Sequence, residues 1–424
     1  MRRVAMTNLC AAAALLALLV PGPFSAQTLL DPINEWSVAA SAAVAAAGMP
    51  PLRRPITLAI LHLAMYDAVS AVTGDREPYA GPAPAVAHAS ASAAAIEAGY
   101  RILLVEVPSR QADLNLVYQR LRSQIADSPE KVNGTAAGAE AAQRLLTLRR
   151  NDGRNLTVPY VPGSGPATWI PTPPEFLPST SAFLARVTPF TMDSPSQFRP
   201  AGPPRLNSKA WVRDYDEVKT LGVNDGSTRT VEQTATALFW EPLAGTVWTP
   251  TIRRVAREQS LDLGASARLH AAAFAAFADS VIACWDAKFH FNFWRPVTAI
   301  RAGETDGNNR TAPDPAWQPL APTPNFSEYP SGHTCVSAAV AHTIEDFFRH
   351  DIVIPARNVT TGEERFYAKA SELVDEVVEA RMLLGLHFRA GDEDGADIGR
   401  RIARQIRSRW FRKRSGTEPE FQGR

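Results

Sequence analysis

Cysteine is scarce in this chain, three residues among 424, and several other features that would define a class at once are also missing. Beyond the N-terminal leader no stretch has eighteen uninterrupted apolar residues, so no membrane span is expected in the mature chain. The formal net charge is +1. The one block of like charge, Arg407 to Arg414, reads as the complement of a helix C-terminus rather than a polyanion site, and nucleic acid is excluded as an expected partner. No run shows sustained β alternation and no short repeat period is visible. An all-α fold is what remains.

The chain does contain a great deal of apolar helical sequence. A 45% apolar content is ample for a buried core, and the length allows two or three domains. Residues 1–26 read as a secretory signal, with Arg2 and Arg3 before the apolar stretch from Cys10 to Val20 and a small-residue exit at Ser25-Ala26. A secreted or periplasmic protein is expected. Loss of the signal leaves Cys284 and Cys335, which the sequence permits either as two buried thiols or as a disulfide.

An N-terminal helical bundle is expected over 27–154. Its second helix, Ile56 to Val72, is apolar nearly all round, and His62, Tyr66 and Asp67 within it read as satisfied core polar groups. The connection over 155–205 is rich in proline, serine, threonine and glycine and is expected to contribute to a pocket wall. A C-terminal bundle over 206–424 then includes a capping box at Thr230 to Gln233, an alanine-rich helix from Leu263 to Phe293, and final helices over 362–384 and 393–411.

Three segments carry chemistry. Lys288 and Arg295 lie seven residues apart among Trp285, Phe289, Phe291, Phe293 and Trp294. At about 100° per residue, two turns of one helix would return both cations to one face, with Pro296 ending that helix. The stretch is too aromatic to face water, and buried cations require an anion. The second segment, Tyr329-Pro330-Ser331-Gly332-His333, precedes an apolar helical run. Ser331 reads as its N-cap, leaving the helix N–H groups at Gly332 and His333 as an anion seat. The third, Arg381 to His387, adds a permanent cation and a second histidine, which Gly385 presents from a turn. Together they describe a tightly held tetrahedral oxyanion.

Lys288 with six residues to Arg295-Pro296, then Pro330-Ser331-Gly332-His333, then Arg381 with five residues to His387, resembles the three-part signature of the vanadium-dependent haloperoxidases and the type 2 phosphatidic-acid phosphatases. Two positions depart from that pattern, Ala380 in place of serine and Gly391 in place of aspartate, with Asp392 a candidate substitute. The resemblance implies two packed helical bundles with the oxyanion site in the C-terminal one. It implies vanadate as cofactor, with phosphate able to occupy the same site, and His387 as the single metal ligand. Lys288, Arg295, Ser331, Gly332 and Arg381 would hold the oxygens and His333 would act as acid and base. Trp285 and Phe326 match aromatic positions of a halide pocket. The partners implied are hydrogen peroxide, a halide (bromide or chloride) and an organic acceptor. The resemblance leaves two other readings open: an exported acid phosphatase working through a phosphohistidine at His387, and a non-catalytic scaffold that only binds oxyanions.

Overall fold

The computed structural model describes residues 31–160, 163–348 and 350–414; the expected signal at 1–26 and Cys10 lie outside them. The described residues form one compact unit. Its helices are α1 (Pro32–Ala46), α2 (Arg54–Thr73), α3 (Ala91–Glu106), α4 (Gln111–Ser123), α5 (Pro129–Leu148), α6 (Lys209–Leu221), α7 (Val231–Phe239) and α8 (Ala244–Glu258). There follow α9 (Leu263–Phe291), α10 (Pro296–Arg301), α11 (Gly332–Phe347), α12 (Ala370–Leu383) and α13 (Arg389–Arg409). Strands β1 (Ile354–Arg357) and β2 (Glu364–Tyr367) pair antiparallel as a small hairpin that occupies the expected start of the helix over 362–384. The chain is helical as the absence of β alternation requires.

Two groups of helices meet along α2 and α9. In the first, α2, α3 and α5 pack together; in the second, α11 sits against α9, α12 and α13. Both α2 and α9 are long and apolar enough to cross a membrane, but each is almost wholly buried in the protein interior. Alanine makes this possible in α9, where Ala271, Ala273, Ala275, Ala276 and Ala278 are inaccessible and allow neighbours to approach closely. A disulfide joins Cys284 of α9 to Cys335 of α11, with Cα atoms 6.4 Å apart, and ties together the two helices that carry the first and second segments.

Local signals account for many boundaries. Asp31 and Asp262 cap α1 and α9 by accepting from the backbone N–H three residues on, and Thr230 and Gln233 form the expected capping box. In α2, Asp67 accepts from the N–H groups of Tyr79 and Ala80, and Tyr66 donates to the Glu77 carbonyl. His62 differs from expectation: neither ring nitrogen has a partner, and the ring is stacked on Phe274 at 4.4 Å.

The proline-rich connection is expected to contribute to a pocket wall; Thr172, Pro173, Pro174, Glu175 and Leu177 line a second cavity of about 600 Å³, and other residues of the connection brace a turn. The Trp169 backbone N–H donates to the Asn292 carbonyl at 2.8 Å, the Trp294 backbone N–H donates to the Ala167 carbonyl at 3.1 Å, and the Tyr160 hydroxyl donates to Asn292 Oδ1. Asn292 adopts a left-handed φ of 47°, so this brace holds the chain where it leaves α9.

Candidate functional site

The route by which Lys288 and Arg295 meet differs from one continuous helix. α9 stops at Phe291, Asn292 reverses the chain, and Arg295 is the N-cap of α10, whose first residue is Pro296. Proline thus starts the next helix rather than ending the first, as its fixed φ and missing N–H favour. Lys288 stays in the last turn of α9, fully buried. Its Nζ donates to the carbonyls of Ser327 and Glu328 at 2.9 and 2.8 Å. Arg295 donates from Nε to the Phe326 carbonyl at 2.9 Å and from Nη1 to the Leu386 carbonyl at 2.8 Å, while Nη2 has no partner.

Ser331 occupies the N-cap of α11, but its hydroxyl makes no capping bond. It lies near Asp392 yet outside hydrogen-bond geometry. Arg381, in the last turn of α12, donates from Nη1 to the Trp240 carbonyl at 3.2 Å and leaves Nε buried without an acceptor. Gly385, at φ 75°, turns the chain after α12 and delivers His387. The three cations are held mainly by backbone carbonyls, and none of them forms an ion pair among the described residues.

His387 shows the most specific geometry. Arg295 Nη1 lies 3.2 Å from His387 Nε2, and a guanidinium can only donate, so Nε2 carries the lone pair and Nδ1 the proton. That Nδ1–H donates to Glu328 Oε1 at 2.8 Å, which also accepts from the Phe388 N–H at 3.2 Å. Glu328 was not expected at the site, and Asp392 does not bond His387. The position of Gly391 accounts for the first: a Cβ there would stand 2.5 Å from Glu328 Oε1. The missing aspartate side chain makes the room that Glu328 fills. His333 stands at the start of α11 with Nε2 donating to the Pro242 carbonyl at 3.1 Å, which leaves Nδ1 free to exchange a proton.

The electrostatics show an excess of cations, offset only in part by Glu328 and Asp392. Burial, with Arg295 adding to it, holds the Lys288 amine well below its ordinary range. Burial likewise lowers Arg295 to about 9 and Arg381 to about 10. His387 and His333 are both held neutral by burial, followed by Arg295 for His387 and by Arg381 for His333. Burial raises Glu328 to about 7 despite the pull of Lys288 and Arg295, and raises Asp392 well above the carboxylate range. A tetrahedral oxyanion would accept from the orphaned Arg295 and Arg381 donors and relieve the mutual repulsion of all three cations. The donor set therefore fits vanadate or phosphate.

Trp285 and Phe326 stand beside these cations, their ring centroids 5.1 Å apart. Lys288 Nζ lies 5.2 Å from the Phe326 ring and Arg295 lies 5.0 Å from it. A cavity of about 500 Å³ opens from this point and is lined in part by Trp285, Phe326, Gly332, His333, Arg381 and His387. Of the expected site residues, Lys288, Arg295, Ser331, Gly332, His333, Arg381 and His387 gather in one region, contributed by the turns after α9 and α12 and the start of α11.

A buried nest of cations around a neutral imidazole is an arrangement that a tetrahedral oxyanion fits. Residues 268–416 match the family model of the VCPO second helical-bundle domain. The vanadium chloroperoxidase of Curvularia inaequalis is 30% identical to this chain over 35% of this chain, and the match spans 29% of that relative's own length. A solved bacterial vanadium-dependent iodoperoxidase superposes with a TM-score of 0.75 at 22% identity, covering 88% of this chain and 95% of its own. The holo form of a bacterial vanadium-dependent chloroperoxidase gives 0.63 at 17% identity, covering 89% and 92%. The fold is that of the vanadium haloperoxidases, and the segment bearing all three motif pieces matches the model of the VCPO second helical-bundle domain.

Proposed function

We propose that this chain is an exported vanadate-dependent haloperoxidase, oxidising bromide or chloride with hydrogen peroxide to hypohalous acid. The observation that carries the reading is the set of buried donors without acceptors, Arg295 Nη2 and Arg381 Nε, arranged around an imidazole whose Nε2 lone pair is free of a proton. Lys288, Arg295 and Arg381 would neutralise the oxygens, with the Ser331 hydroxyl and the Gly332 N–H completing the shell. His387 Nε2 would be the single protein ligand. When bound, vanadate supplies a Lewis-acidic centre that activates peroxide for oxygen transfer to halide.

The chain's own residues do the rest. Glu328 fixes the His387 tautomer and ring orientation through the Nδ1 bond. His333 Nδ1 exchanges the proton that peroxide and product require. Trp285 and Phe326 give a polarisable halide a dry surface beside two cations, and Trp285 Nε1, buried with no acceptor, is available to it as a donor. The test is bromination of an activated phenol as peroxide and vanadate are varied, with phosphomonoester hydrolysis measured in parallel. Vanadate-dependent bromination is expected. Absence of bromination at saturating vanadate together with rapid phosphate release would transfer the site to phosphohistidine chemistry, and absence of both would leave an oxyanion-binding scaffold.

A further inference from the structure

The cavity that opens from the site is larger than a halide or peroxide needs. Its volume of about 500 Å³ lies in the range of small-molecule sites. The wall runs from Trp285 and Phe326 past Phe277 and Val281 of α9 to Val44 of α1 and Leu58 of α2, so most of it is apolar. Besides Arg381 at the oxyanion end, two arginines interrupt this surface, Arg54 at the start of α2 and Arg253 on α8. Among the described residues no aspartate or glutamate lines the cavity.

Neither arginine forms an ion pair among the described residues. Arg54 donates from Nε to the Met49 carbonyl at 2.9 Å, and Arg253 donates from Nη1 to Ser41 Oγ at 3.0 Å and to the Ser37 carbonyl at 3.4 Å. The adjacent Arg254, which points elsewhere, has the usual arrangement, bonding both Glu258 and Glu364. Burial lowers the pKa of Arg253, and the nearby Arg257 lowers it further. Half-buried guanidinium groups on an apolar wall, with no acid to meet them, are complementary to an anion brought by a ligand.

We propose that this cavity binds an organic anion, an apolar ring-bearing molecule with one carboxylate or similar acidic group, held by Arg54 and Arg253 with its rings along the aromatic wall. Resting on the haloperoxidase reading, this molecule is the organic acceptor, bound next to where hypohalous acid forms. An aryl C–H bond would be exchanged for a carbon–halogen bond, the displaced proton leaving with the hydroxyl of hypohalous acid as water.

The binding step can be tested without turnover. The full chain is saturated with inorganic phosphate to fill the oxyanion site and titrated calorimetrically with 2-naphthoate and with its neutral isostere 2-naphthamide. The acid should bind about tenfold more tightly than the amide, the difference expected of one charge-assisted hydrogen bond. The double substitution R54Q/R253Q should level the two affinities while phosphate binding stays unchanged, which also shows that the variant is folded. Ala244→Phe, narrowing the cavity from the start of α8, should weaken both ligands alike. Equal affinities in the unmodified protein, an acid preference that survives R54Q/R253Q, or displacement of naphthoate by phosphate would each overturn the assignment. Failed bromination with this binding pattern intact would sink the haloperoxidase reading and leave the cavity assignment standing.

Discussion

Replacing Glu328 tests the site at its least expected point. Its Oε1 takes two hydrogen bonds, from His387 Nδ1 at 2.8 Å and from the Phe388 N–H at 3.2 Å, in fully buried surroundings. Glu328→Ala orphans both donors and frees the imidazole to rotate. A hydrogen bond to a charged group contributes about 1.5–3 kcal/mol, and partners that orient a metal-bound histidine typically account for about ten- to a hundredfold in affinity. Vanadate affinity should therefore fall about 30-fold, close to 2 kcal/mol. Gly391→Asp alone should also weaken binding, because its Cβ would stand 2.5 Å from Glu328 Oε1 and force that carboxylate aside. The two changes together should recover most of the loss, since the space vacated by Glu328 admits an aspartate from the first turn of α13 to the same imidazole. This cycle predicts a coupling of about 1–3 kcal/mol. Calorimetric titration with vanadate at pH 8, with thermal unfolding to confirm folding, measures all four proteins. Unaltered affinity in Glu328→Ala, or strictly additive losses in the double variant, would refute the reasoning.

Substituting the histidines should separate their roles: His387→Ala abolishes vanadate binding, while His333→Ala leaves binding largely intact and removes bromination. Equal loss of binding in both would show the roles to be misassigned. The depressed pKa of Lys288 means that its charge is lost at lower pH than the ordinary 10.5. Affinity for sulfate, whose own charge is constant, should thus decline earlier on the alkaline side than a surface lysine would allow. On the acid side His387 stays neutral below the ordinary 6.5, so its lone pair persists. Sulfate titrations from pH 5 to 10 measure this, and constant affinity through the alkaline range would contradict it. Replacing both Cys284 and Cys335 with serine opens a bridge spanning 51 residues, which loop entropy values at about 4 kcal/mol. The melting temperature should drop by several degrees, and an unchanged melting curve would count against the bond.

Much of the site could be read from the sequence because its residues are grouped in three short segments with fixed internal spacing. The burial of Lys288 and Arg295 followed from their aromatic neighbours, and the turn at Gly385 from glycine's freedom at positive φ. The sequence could not show how the segments meet. Helical periodicity alone put Lys288 and Arg295 on one helix, whereas the bridging turn depends on Asn292 in a left-handed conformation held by Tyr160 and Trp169 from more than a hundred residues away. Glu328 was illegible for a related reason. Its role depends on the empty volume above Gly391, a complementarity between residues 63 positions apart that no local pattern encodes. The β1–β2 hairpin escaped notice because four-residue strands are too short to establish alternation.

The Cys284–Cys335 bridge has a chemical consequence separate from its mechanical one. Hypohalous acid attacks sulfur readily, and thiolates and thioethers are the side chains it consumes on the way to irreversible oxides. Among the described residues no free thiol remains, and Met49, Met65, Met192 and Met382 are all buried. On the proposed haloperoxidase reading, every described sulfur is thus bonded or buried where hypohalous acid would form at the end of α9. Tying Cys284 and Cys335 into a bond leaves no described thiol beside the site for such an oxidant to consume.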